Sequence, residues 1–103
     1  MIANTPKPPY YAVIFSSMRN EGDHGYSEMG NKMIEMASEQ EGFLGIEDVR
    51  EELGITVSYW TDLMSIKKWR DNTDHKEAKK KGKTDWYESF KVRIAKVEMD
   101  YEM

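Results

Sequence analysis

Two histidines, three tryptophans and no cysteine among 103 residues narrow the chemistry this chain can carry. His75 falls after one helical stretch and at the start of another. Imidazole titrates near neutrality and can take a proton from an activated phenol or a carbon acid. A place at a helix start would favour its neutral, basic form. The competing expectation is that His75 packs against Trp69 or caps a helix end. Trp60, Trp69 and Trp86, with Tyr59 and Tyr87, could wall a pocket for a flat aromatic ligand, and a dry pocket keeps water from a reactive anion. Aromatic residues on strands and helix faces more often form core. Tyr59 and Trp60 are adjacent on one strand and point to opposite faces, so at most one of them faces such a pocket. Ser16 and Ser17 end the first strand. Either could hydrogen-bond a substrate oxygen, and either could equally satisfy a nearby backbone group.

Other chemistries are excluded or unsupported. Without cysteine there are no disulfides, thiolate nucleophiles, iron–sulfur clusters or zinc–thiolate sites. His24 lies in a polar turn between Gly22 and Gly25 and reads as a solvated loop residue. Two histidines so far apart, with no local carboxylate spacing, make no metal site, and no cofactor is expected. The net charge of −4 argues against nucleic acid as a partner. Lys79, Lys80, Lys81 and Lys83 form the one basic run, which suits a helix C-terminus or a solvated face. The longest apolar run, Tyr10 to Phe15, is six residues and far too short to cross a membrane. Met1 to Pro9 carries three prolines and lacks the apolar core of a signal peptide. We expect residues 1–9 to form an extended arm and 10–103 a single domain in a cytoplasmic protein.

The elements that must position these residues follow from periodicity. Tyr10 to Met18 is aromatic and β-branched on both faces, the pattern of a strand covered on both sides. From Tyr26 to Gln40, Tyr26, Met29, Met33, Met36 and Ala37 make one apolar helical stripe, and Gly42 is the expected stop. Phe43 to Arg50 and Ile55 to Thr61 read as strands of a hairpin. Asp62 is the expected N-cap of a helix turning Leu63, Ile66 and Trp69 inward. Asp74 and Glu77 have capping-box spacing for a second piece. Thr84 to Phe90 could add another helical turn. Lys91 to Tyr101 alternates as a last strand, with a phase shift between Ile94 and Val97 that would suit a bulge. The order β-α-β-β-α-β is the split βαβ, ferredoxin-like arrangement of an α+β domain. Helices would cover one face of its antiparallel sheet. The other face is also apolar, so we expect a homodimer through that open face and the last strand.

Several segments, taken together in order, resemble the antibiotic biosynthesis monooxygenase family. They are Gly42-Phe43-Leu44-Gly45-Ile46-Glu47 and Gly54-Ile55-Thr56-Val57-Ser58-Tyr59-Trp60; then Trp69, His75, Ala78, Gly82 and Trp86-Tyr87; then Arg93-Ile94-Ala95-Lys96-Val97-Glu98 before Tyr101. The resemblance runs from about residue 10 to 101. It implies a dimeric α/β barrel and a cofactor-independent monooxygenase acting on a small aromatic or quinol-like molecule. It also puts His75 where relatives carry a histidine. Other relatives degrade haem, but their histidine falls at the position held here by Lys79, and their first-strand asparagine is replaced here by Ser16 or Ser17. Haem is thus the less fitting expectation. A non-enzymatic dimeric binding or structural module, its pocket filled by its own side chains, is the alternative.

Overall fold

A computed structural model of the chain describes residues 1–22, 25–72, 76, 78 and 80–103. Its elements run β1 (Tyr10–Arg19), α1 (Tyr26–Ser38), β2 (Phe43–Arg50), β3 (Leu53–Trp60), α2 (Leu63–Arg70), a π-helical turn (Gly82–Trp86) and β4 (Tyr87–Val97). The four strands form one sheet in the order β2-β3-β1-β4, and every neighbouring pair is antiparallel. β1 and β2 therefore run the same way with β3 between them, the split βαβ expected from the sequence. The sheet is not closed within the chain.

Register assigns the faces. Tyr11 opposes Trp60, and Trp60 opposes Phe43, so these three share a face with Val13, Phe15 and Ser17 of β1 and with Phe90, Val92 and Ile94 of β4. Trp69 of α2 stacks on Trp60, and Tyr26 of α1 meets Tyr87, so this is the face the helices cover. Tyr10, Ala12, Ile14, Ser16 and Met18 point to the other, open face, with Leu53, Ile55, Val57 and Tyr59.

The helices follow their apolar spacing. In α1, Ala37 is buried while Tyr26, Met29, Met33 and Met36 are half-buried, and Glu28, Lys32, Glu35 and Glu39 are exposed. The helix ends at Ser38, before Gly42, so Gly42 is not its cap. Gly42 instead turns the chain into β2 with φ +87°, and its carbonyl accepts from the Thr61 N–H at 2.8 Å. A Cβ there would overlap the Ser65 side chain and approach Thr61 Oγ1 to 2.7 Å. We expect Gly42→Ala to cost about 2–3 kcal/mol in thermal or denaturant unfolding, from left-handed strain and overlap together. A loss below about 0.5 kcal/mol would show that the turn relaxes freely.

Asp62 caps α2 as expected, its Oδ1 accepting from the Ser65 N–H at 2.7 Å. Leu63 corrects the inward set: it is 53% exposed, whereas Ser65 and Ile66 are buried and Trp69 half-buried. Steps of three drift around a helix of 3.6 residues per turn, so Leu63 and Trp69 cannot share one narrow face. The β2–β3 hairpin closes on Glu51 and Glu52, with Arg50 opposite Gly54. β3 thus begins two residues before Ile55. β4 departs most from expectation. Tyr87 to Phe90 are strand, paired with Arg19 to Ser17, and the strand stops at Val97. The irregular step lies between Met18 and Arg19, while Ile94 to Val97 pair without a break. The Asp74–Glu77 capping box lies outside the described residues.

Candidate functional site

Two aromatic groups occupy the covered face. In the first, Trp60 has no exposed surface. Phe43 meets its ring edge-on at 5.4 Å, and Trp69 stacks at 6.4 Å with a 25° interplanar angle. The Trp60 indole N–H donates to Ser58 Oγ at 2.9 Å, on the same face two residues earlier. A buried indole with its donor satisfied is core behaviour.

The second group gathers where β1 ends. Phe15 contacts Tyr87 at 5.3 Å and Phe90 at 5.5 Å, and Tyr26 meets both Trp86 and Tyr87 edge-on. Two arginines join it. The Arg19 guanidinium lies 3.7 Å from the Tyr26 ring centroid. Its Nη2 donates to the Gly22 carbonyl at 3.0 Å, and its buried Nε has no hydrogen-bond partner among the described residues. Arg50 reaches across Gly54, which has no side chain to block it, and both its Nη atoms donate to Ser17, to the hydroxyl and to the carbonyl. Burial, and then the hydrogen bond with Tyr26, hold the Tyr87 phenol well above the usual tyrosine range; Arg50 and Arg19 pull the other way. Tyr87 therefore stays a neutral hydrogen-bonding phenol beside two cations.

The open face carries a different arrangement. Tyr59 donates to Glu47 Oε1 at 2.6 Å, and the Ala3 N–H donates to Glu47 Oε2 at 2.9 Å, tying the N-terminal arm to β2. Tyr10 meets the Tyr59 ring edge-on and donates to Asp100 Oδ2 at 2.6 Å. Burial and the Glu47 carboxylate push Tyr59 up to about 12. Glu47 is held below its ordinary 4.5, first by the Tyr59 bond and then by the Ala3 N–H. A depressed carboxylate favours the folded arrangement above its unfolded value and loses that contribution as pH falls through the lower folded value. The Ala3 amide should thus be ordered at neutral pH and freed on acidification below about 4.5, the ordinary glutamate value. NMR of that amide checks this, and Glu47→Gln should flatten the transition.

The residues singled out in the sequence are therefore divided. Trp60 and Trp69 stack together, Trp86 belongs with Tyr26 and Tyr87, and Ser17 is bonded to Arg50, all on the covered side. Tyr59 and Ser16 point to the open face, away from them. His75 and His24 lie outside the described residues. Two concavities, of about 220 and 410 Å³, adjoin the open face, and neither is lined by a tryptophan. Among the described residues no group of three or more His, Asp or Glu could hold a metal, and no helix is long and apolar enough to cross a membrane. Arg19 and Arg50 belong to no motif that marks them in the sequence. The hairpin register, which sets Gly54 opposite Arg50, was the signal that could have found the second.

The architecture defines an α+β protein of the ferredoxin-like class. The fold is shared with protein SO0527 from Shewanella oneidensis (TM-score 0.76, 13% identity, covering 86% of this chain and 91% of that one). It is shared equally with SnoaB, a cofactor-independent oxygenase from Streptomyces nogalater (TM-score 0.76, 8% identity, 90% and 97% covered). The chain belongs to the antibiotic biosynthesis monooxygenase family, whose model matches residues 9–81. It is 54% identical over 99 residues to the protein YqjZ of Bacillus subtilis, covering 94% of this chain and 87% of that protein.

Proposed function

We propose that this protein is a cofactor-independent monooxygenase acting on a small aromatic or quinol-like molecule, with His75 as the base. The observation that carries the reading is the run of ring contacts from Phe15 through Tyr87 and Tyr26 to Trp86 on the covered face of a family-typical fold. Aromatic rings of that kind bind flat substrates and exclude water. In the reaction, His75 removes a proton from the substrate, and the resulting anion passes an electron to dioxygen. A ring CH₂ becomes C=O; its two hydrogens leave with the second oxygen atom as water, and the substrate supplies all the electrons. The protein's part is orientation, a base and a dry surface. The test is oxygen uptake with an anthrone or naphthol substrate in metal-free, flavin-free buffer. One O₂ consumed per quinone formed, with one labelled oxygen from ¹⁸O₂ in the product, is the expected result. No uptake above the buffer rate on any such substrate would overturn it.

Trp60 favours a second reading. An indole fully buried and hydrogen-bonded within the chain occupies space a ligand would need, as in a binding or structural module filled by its own side chains.

We further propose a homodimer in which the open face packs on a second copy. Val49, Leu53 and Met18 are exposed there, Val49 by 66%, and an apolar sheet face of this extent calls for a cover. Wild-type protein should elute as a dimer in size exclusion with light scattering. Val57→Asp, which sets a charge in the middle of that face, should give a folded monomer. A monomeric wild type at micromolar concentration would sink the proposal.

A further inference from the structure

Four observations on the covered face remain without a role. First, Arg50, Gly54, Ser17 and Phe90 stand side by side across the four strands, and Arg19 opposes Tyr87 at the same end. Two guanidiniums are thereby brought to one end of one face. Second, neither pairs with a carboxylate among the described residues, whose ion pairs are Lys67–Asp71 and Arg70–Asp71. Asp48, two residues before Arg50 and on its face, is exposed and forms no such pair with it. Third, the Arg19 Nε is buried without a hydrogen-bond partner among the described residues, although its Nη2 bonds Gly22 and its plane rests on Tyr26. A buried donor left unsatisfied is costly until an acceptor meets it. Fourth, the helices leave the β4 side of this face partly open. Phe90, Val92 and Ile94 form an apolar row running away from the arginines, with Val92 and Ile94 each 46% exposed.

An apolar track that ends in two guanidiniums with no carboxylate partner among the described residues complements a ligand with a flat apolar body and an anionic head. We infer that Arg19 and Arg50 form a subsite for the carboxylate of an aromatic acid whose ring system lies along Phe90, Val92 and Ile94. A carboxylate suits the place because its two oxygens offer several acceptor positions, and guanidinium N–H groups match them in pairs. Ser17 steadies Arg50 through two hydrogen bonds and acts as a positioning residue. The neutral Tyr87 phenol, opposite Arg19 and within the field of both cations, adds polar surface without a competing charge. This inference rests on the aromatic-substrate reading above and adds the acidic group that such a substrate should carry.

Binding of 2-naphthoate, 2-naphthamide and 2-naphthol, followed by tryptophan fluorescence or calorimetry, tests it without requiring turnover. The expected result is that the carboxylate binds at least about tenfold tighter than the amide and the naphthol at neutral pH, as a charge-assisted contact should. That margin should shrink in high salt and fall to about threefold or less in Arg50→Gln, with the circular dichroism unchanged. Equal binding of all three in the wild type overturns the carboxylate subsite and leaves the aromatic-substrate reading standing. Binding of none overturns both. The wild-type comparison decides the matter even if the variant fails to fold.

Discussion

Trp60→Ala should lower stability by about 3–5 kcal/mol, and the thermal midpoint by about 15–25 °C for a domain of this size. The residue touches both layers of the fold. Its ring carries Phe43 of β2 on one side and Trp69 of α2 on another, and none of it reaches solvent. Truncation leaves an indole-sized void that a sheet on one side and a helix on the other cannot both move to fill. Trp60→Phe separates the contributions. It keeps most of the apolar contact but strands the Ser58 hydroxyl, so a loss of about 1–2 kcal/mol is expected. Unfolding by guanidinium with unchanged slope reads both numbers. If Trp60→Ala costs under about 1 kcal/mol, the stack on Trp69 is not part of the core and Trp60 returns as a candidate pocket wall.

His75→Ala should slow oxygen consumption on the proposed substrates by about 100-fold or more, the usual span of a positioned general base. The same variant should keep the wild-type melting profile. A base acts on the reaction and owes little to the fold, whereas a packing histidine does the reverse, so the two readouts separate the roles. Added imidazole should restore part of the lost rate, and the wild-type rate should rise with pH as the imidazole loses its proton. Full activity in His75→Ala with a lowered melting point would make His75 structural. Loss of neither would remove it from the account.

What could be read ahead of the structure depended on how local the controlling physics is. The apolar stripe of α1, the Asp62 cap and the bounds of β2 depend on neighbours within a turn or a strand. The sequence pattern located all three. Tyr87 to Phe90 went wrong because their strand pairing is set by Arg19 to Ser17 on β1, far away in sequence; locally, Thr84 to Phe90 suits a helical turn as well as a strand. The pattern of Val92, Ile94, Val97 and Met99 predicts a strand to Tyr101 with a bulge where the phase changes. Ile94 and Val97 instead pair with Val13 and Tyr10 without a break, so the change of phase is a change of face and not a bulge. For the site, the aromatic residues were visible from their type, and the opposite facing of Tyr59 and Trp60 follows from strand geometry alone. The pairing of Arg19 with Tyr26, and of Arg50 with Ser17, was not visible. It depends on the step at Met18–Arg19 and on the open lane over Gly54, and both are properties of register rather than composition.

The sheet order also bears on how the chain is made. β1 is synthesised before the other strands of its sheet, yet it ends up central, flanked by β3 and by β4. As the chain leaves the ribosome, β1 must wait for most of the protein to emerge before its second edge is covered. A nascent chain halted before Tyr87 would present that apolar edge bare, a template for pairing with other chains. The sheet is consequently completed only by long-range pairing of β1 with β3 and β4. Truncations that remove β4 should yield aggregates rather than a smaller soluble domain.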